Sequence, residues 1–129
     1  MGQCYTVILK VKVTDEAGAI KVLHDKLSEF EDAEKTIEHF KELGISADTL
    51  EGLIRIFVSG WNGETIIKKK GNFVRYEADF EAGYHYEYTL ITMFNELAPY
   101  LANNSYITIY PDDGIDHAKA VDGKAVWTK

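Results

Sequence analysis

Two stretches of the chain alternate between apolar and polar residues. Residues 4–13 do so over ten positions, and residues 73–80 over eight. Strict alternation predicts β-strands with one buried face. A shorter strand over 64–69 is expected to pair with the second stretch through a turn at 70–72. The residues predicted to point inward are Tyr5, Val7, Leu9, Val11, Val13, Val74, Tyr76, Ala78 and Phe80, and those predicted to point outward on 73–80 are Phe73, Arg75, Glu77 and Asp79.

The spacing of apolar residues elsewhere predicts four helices. Thr14 is expected to cap the first helix, because a hydroxyl can accept a hydrogen bond from a free backbone N–H of the first turn. Gly44 is expected to stop the second, and Pro99 to kink or end the regular part of the fourth. The predicted helices cover residues 14–30, 31–43, 46 or 48 to 57, and 84–101.

The residue pattern of the C-terminal part predicts β-strands. A strand over 105–110 is followed by two more that flank Asp122-Gly123, a dipeptide typical of a tight β-hairpin. Pairing across that turn places a tryptophan on the same face as small residues, so its indole is expected to lie over them. The residues on this face are Ala118, Ala120, Ala125 and Trp127.

The order of elements is a strand, three helices, a hairpin, a helix and a three-stranded end. We therefore expect an α+β fold with a mainly antiparallel sheet and the helices on one face. The order contains β-α-β-β-α-β, the ferredoxin-like order, with extra helices and an added C-terminal hairpin. At 129 residues the chain has the usual size of one domain, so residues 1–129 are expected to form a single domain.

Composition narrows the classes of function. The formal net charge is −7, which argues against direct nucleic-acid binding because that requires a basic surface. The negative charge either only keeps the protein soluble or attracts a partner with a basic surface. No apolar run approaches the ~20 residues of a membrane-spanning helix, and no membrane association is expected. Cys4 is the only cysteine, which excludes an intrachain disulfide and favours a reducing, cytoplasmic location.

Catalytic and cofactor motifs are missing from the sequence. Cys4 has no activating charge near it in the sequence, and no nucleophile elbow, phosphate loop or dinucleotide fingerprint is present. We therefore expect neither enzyme activity nor a cofactor or metal, and we expect His24 and His39 to face solvent. One alternative stays open: His85, with Glu81 or Glu87, could form a small-ligand or minor enzymatic site at the start of the long helix.

Aromatic and acidic residues outside the predicted core suggest a contact surface. Trp61 lies in a glycine-rich loop, and Tyr84 and Tyr88 lie off the apolar stripe of the long helix. Exposed aromatic rings beside carboxylates favour protein binding. The alternative is that a wide helix face is buried between the sheet and the hairpin. The candidate partner-binding residues are Trp61, Phe73, Glu77, Asp79, Glu81, Tyr84, His85 and Tyr88.

Two segments in the region from Phe80 to Lys124, FEAGYHYEYTLITMFNELAPYLANNSYITIYPDDG and VDGK, resemble small uncharacterised proteins encoded by phages and mobile elements. The resemblance implies a small acidic protein that occludes a host enzyme, such as a nuclease or another part of a defence system. Together with the composition, it leads us to expect a non-enzymatic inhibitor or adaptor whose partner is another protein. Homo-oligomerisation is left open.

Overall fold

The computed structural model describes residues 2–112 and 114–128 as an α+β fold. The strands are β1 (Gln3–Val11), β2 (Ile66–Lys70), β3 (Phe73–Ala82), β4 (Tyr106–Tyr110), β5 (Asp116–Val121) and β6 (Lys124–Thr128). The helices are α1 (Glu16–Ser28), α2 (Ala33–Glu42), α3 (Leu50–Val58) and α4 (Tyr86–Leu97), followed by a short 3-10 turn over Ala98–Tyr100. No helix in the described residues combines the length and the apolar character needed to cross a membrane.

All six strands form one antiparallel sheet in the order β2-β3-β1-β4-β5-β6. The alternation predicted for β1 is confirmed, since its inward side chains lie at the centre of the hydrophobic core while Thr6 and Lys10 on the other face stay partly exposed. Helices α1, α3 and α4 contact one another over the buried face of the sheet. The opposite face of the sheet is open to solvent.

All four described helices begin later than predicted, and for α1 and α4 the structure shows the cause. Asp15, not Thr14, caps α1: its carboxylate accepts a hydrogen bond from the Gly18 N–H at 3.1 Å. The Thr14 N–H instead donates to the Tyr100 carbonyl at 2.8 Å, which holds Thr14 outside the helix. Helix α4 starts at Tyr86, two residues later than predicted, because β3 extends to Ala82.

The C-terminal hairpin forms as predicted. Asp122 and Gly123 both have positive φ angles, 50° and 77°, as a two-residue hairpin turn requires. Register pairs Ala118 with Trp127, so the two lie on one face. The Trp127 indole packs against α4 as well: its Nε1–H donates to the Asn95 side-chain oxygen at 2.7 Å. The residues Pro111-Asp112-Asp113-Gly114 after β4 have the composition of a turn, and Asp113 among them lies outside the described residues.

Three tyrosines, Tyr5 and Tyr76 buried and Tyr86 partly buried, are expected to make the protein sensitive to alkaline pH. Burial raises the pKa of Tyr76 to about 12, and it also raises the pKa values of Tyr5 and Tyr86. Between the unfolded pKa of about 10 and the higher folded values, the unfolded chain loses protons that the folded chain keeps. The contribution of these tyrosines to stability is therefore fully present below pH 10 and is lost as the pH rises from 10 towards 12.

Urea unfolding at pH 9 and pH 11 measures this loss. We expect the midpoint to fall at pH 11, and to fall less in a Tyr76→Phe variant, which lacks one of the groups that ionise. A midpoint that is equal at both pH values in the wild-type chain contradicts the prediction.

Candidate functional site

Strand β3 is twice as long as its neighbour β2, and half of its outer side has no strand beside it. Register pairs Ile66 at the start of β2 with Glu77 of β3. From Ala78 to Ala82, β3 pairs only with β1. We call the segment Ala78–Ala82 the open edge.

The hairpin register shows which backbone groups the open edge presents. Lys70 pairs with Phe73 across a two-residue turn, so the backbone groups of Phe73, Arg75 and Glu77 point towards β2. Backbone groups alternate sides along a strand, so those of Asp79 and Glu81 point to the same side, past the end of β2. No backbone hydrogen bond joins them to another segment within the described part of the chain. Each residue therefore presents an N–H donor and a C=O acceptor at the open edge.

The loop before β2 contacts the open edge at Gly60, beside Phe80, and from Gly63 onward it is held against α3 and the turn after α2. Gly63 is buried and packs against Ile45 Cδ1, and its φ of +70° is a conformation that L side chains rarely adopt, so this turn of the loop favours glycine. The Gly63 carbonyl accepts a hydrogen bond from Arg55 Nη2 of α3 at 3.3 Å. Because of these contacts, the segment that precedes Ile66 does not continue the direction of β2 alongside Ala78.

Trp61 is held at the same loop by a histidine of α2. The two rings are parallel, with centroids 3.7 Å apart and planes 5° apart, and His39 Nε2 contacts the Trp61 carbonyl oxygen. His39 is partly buried, so the prediction that it faces solvent is wrong, whereas His24 is exposed as predicted. The stack orders one face of the indole, yet 58% of Trp61 remains exposed. Nothing in the sequence signals this contact, because the two residues are distant along the chain.

Two depressions border the open edge. One, of about 580 Å³, lies between the loop at 62–66 and the strand at 77–79. The other, of about 670 Å³, is lined by Trp61 and Asn62 on one side and by Asp79 and Glu81 on the other. Cys4, a free and exposed thiol, also lines the second depression. Trp61, Asp79 and Glu81 are thus brought together around one groove.

The acids along β3 differ in how far their charge is already neutralised. Glu77 lies 3.5 Å from Arg75 Nε, so an internal cation offsets its charge. Asp79 accepts a hydrogen bond from the Thr6 hydroxyl at 2.5 Å, and Glu81 sits opposite Cys4 in the register. Neither Asp79 nor Glu81 has a basic partner within 4.0 Å among the described residues. Their charges are available to a ligand of the opposite sign.

The remaining candidates lie elsewhere. Phe73 is on the open face of the sheet, with Lys10 Nζ 5.6 Å from its ring centroid. Tyr84 and Tyr88 are 63% and 60% exposed at the start of α4, so they are not buried between the sheet and the hairpin. The His85 ring stacks on Tyr88 at 5.4 Å, and its backbone has a left-handed φ of 69°.

Of the possible site of His85 with Glu81 or Glu87, only the contact between His85 and Glu87 is formed. His85 Nδ1 lies 3.7 Å from Glu87 Oε1, but the His85 side chain is 72% exposed and Glu81 faces the groove with Trp61. Across residues 2–112 and 114–128, no group of three or more His, Cys, Asp or Glu side chains is placed to hold a metal ion. The chain matches no family model, no curated protein and no solved structure.

Proposed function

We propose that the chain is a non-enzymatic protein-interaction module that binds the basic surface of another protein through its open edge. The observation that supports this proposal most is the meeting of Trp61, Asp79 and Glu81 at one groove. Tryptophan is among the residues that contribute most to interfaces, because it buries a large rigid area at a low entropic cost. Two carboxylates without a basic partner in the described chain add charge complementarity.

The wider charge distribution favours the same kind of partner. A net charge of −7 attracts a basic protein over a distance of several ångströms and speeds the encounter at low salt. Where the partner handles nucleic acid, the carboxylates of Asp79 and Glu81 take the place of phosphates. An inhibitor that occludes a nuclease or another defence enzyme fits this chemistry, and the resemblance to phage and mobile-element proteins points the same way.

We also infer that β1, α1, β2, β3, α4 and β4 form a ferredoxin-like unit. The spatial order β2-β3-β1-β4, with every neighbouring pair antiparallel, supports this inference. In that arrangement β1 and β2 run parallel with β3 inserted between them, as in a split β-α-β unit. Helices α2 and α3 are insertions that hold the Trp61 loop, and β5 and β6 extend the sheet at its other edge.

Reversing the two free charges tests the proposed function. We expect the double variant Asp79→Lys/Glu81→Lys to lose capture of the proteins that the wild-type chain retains from extracts of its native cell. The matched control, Glu42→Lys/Asp48→Lys, changes the net charge equally at two exposed acids outside the groove. We expect it to retain capture, and both variants to keep melting temperatures close to that of the wild type.

Quantitative mass spectrometry of the bound proteins gives the readout. Equal capture by the wild-type chain and the Asp79→Lys/Glu81→Lys variant would falsify the assignment of the surface. Equal loss of capture in both double variants would show that the net charge, and not the groove, decides binding.

Light scattering of the purified chain identifies any homo-oligomer, which would be a competing use of the exposed aromatic residues. The alternative ligand site at His85 keeps only Glu87, 3.7 Å from the His85 side chain, which is 72% exposed, while Glu81 faces the groove with Trp61.

A further inference from the structure

We propose that the open edge binds an extended, basic segment of the partner, which adds to the sheet as a further strand beside Ala78–Ala82. This inference rests on the proposed function and states how the partner is held. An exposed strand edge is a template for such pairing, because its N–H and C=O groups already have the spacing of a β-ladder.

The groove has room for a short strand. A segment opposite the five residues of the open edge spans roughly 16 Å at about 3.3 Å per residue. The two depressions that follow this edge have volumes of about 580 and 670 Å³. Asp79 and Glu81 each offer one N–H and one C=O to the added strand. The backbone alone therefore supplies up to four hydrogen bonds, without requiring a particular partner sequence.

Side-chain alternation gives the added strand its chemistry. In an antiparallel pair, residues directly opposite each other project to the same face of the sheet. The partner residues opposite Asp79 and Glu81 therefore meet the two carboxylates, and lysine or arginine at these positions is favoured. The residue between them projects to the inner side, where Gly60 packs against Phe80 and leaves space only for a small apolar side chain. The expected pattern is basic–apolar–basic.

The same charges disfavour a second copy of this chain as the occupant. Two open edges paired antiparallel would bring Asp79 and Glu81 of both copies together, and like charges on neighbouring strands repel. Strand β2 cannot extend to cover the edge either, because Gly63, Arg55 and the His39–Trp61 stack hold the preceding loop against the helices. A basic segment from another protein meets neither obstacle.

Short synthetic peptides test the inference on the full chain. The probe is fluorescein-Thr-Lys-Val-Lys-Thr-amide, and fluorescence anisotropy measures its binding. We expect binding to the wild-type chain, none for the Thr-Glu-Val-Glu-Thr analogue, and none to the Asp79→Lys/Glu81→Lys variant. Since electrostatic attraction alone would give the same three results, two N-methylated probes separate strand pairing from charge.

Methylating the backbone nitrogens of both lysine residues removes the peptide N–H groups that face Asp79 and Glu81. Methylating the valine and the last threonine removes the same number of N–H groups on the side facing away. We expect the first peptide to bind about thirtyfold more weakly, because it loses two hydrogen bonds of about 1 kcal/mol each, and the second to bind like the parent. Binding of the parent should also slow hydrogen exchange of the Asp79 and Glu81 amides.

Equal affinity of the two methylated peptides, or unchanged exchange at Asp79 and Glu81, overturns strand addition. So does a failure of the parent peptide to bind. If partner capture is nevertheless lost in the Asp79→Lys/Glu81→Lys variant, the proposed function stands and only its mode is wrong. If the parent peptide binds in the expected manner but partner capture is unaffected by the same substitutions, the proposed function is wrong instead.

Discussion

Replacing Gly52 by alanine is expected to destabilise the fold by about 3 kcal/mol or more, or to prevent folding altogether. Gly52 is buried in the first turn of α3. A Cβ built there would lie 1.7 Å from the Ser46 carbonyl oxygen and 2.9 Å from Thr49 Oγ1. The first of these is a backbone atom, so no side-chain rotation relieves the clash. The turn that leads into α3 would have to move, and the cap that Thr49 provides to the Gly52 N–H would be strained with it.

Gly83→Ala is the matched control for this substitution. No atom lies within 4 Å of a Cβ built at Gly83, and its backbone is outside the left-handed region. We expect a change within about 0.5 kcal/mol, as for most surface substitutions. Urea unfolding of the two variants gives the comparison. If Gly52→Ala unfolds at the same urea concentration as Gly83→Ala, the close approach of α3 to Ser46 is wrong.

Phe80→Ala is expected to cost about 3–5 kcal/mol, the usual range for a large aromatic residue in a core. Phe80 is 7% exposed, stacks on Tyr5 with ring centroids 5.9 Å apart, and meets Tyr86 edge-on at 5.7 Å. It also supports the Trp61 loop, since Gly60 packs directly against its side chain. The substitution should therefore change the fluorescence of Trp61 in addition to lowering stability.

Phe73→Ala, on the same strand, is the control because its ring lies on the opposite face. Phe73 is only partly buried, and its described contact is with the Lys10 ammonium. Losing this cation–π contact and some apolar area should cost about 1 kcal/mol or less. Urea unfolding measures both variants. Similar losses for Phe73→Ala and Phe80→Ala would show that the two faces of β3 are not distinguished as described.

The candidate site was predictable to different degrees. Alternation along β3 correctly assigned Asp79 to the solvent side and Phe80 to the core, because a strand has a period of two residues. The aromatic rings of Trp61, Tyr84 and Tyr88 were correctly expected outside the core stripe. However, the three aromatic residues and the acids were assigned from the sequence to one contact surface, whereas the structure gathers Trp61 with Asp79 and Glu81 and leaves Tyr84 and Tyr88 beside His85.

Local errors followed from competition between neighbouring residues. Thr14 and Asp15 are both residue types that favour helix N-caps. Asp15 is the cap in the structure, because the Thr14 N–H donates to the Tyr100 carbonyl. That hydrogen bond joins residues far apart in the chain, so no local pattern records it. The predicted strand ends at Phe80, whereas β3 continues through Glu81 to Ala82.

By itself, the sequence determined the elements and their faces, because side-chain periodicity and turn residues such as Asp122-Gly123 act over a few neighbouring positions. Only the tertiary structure decided that half of β3 has no strand on its outer side. That outcome depends on Gly63 packing against Ile45, on Arg55 binding the Gly63 carbonyl and on His39 stacking on Trp61. These contacts join distant segments, and their geometry follows from how α2 and α3 pack, which no local pattern encodes.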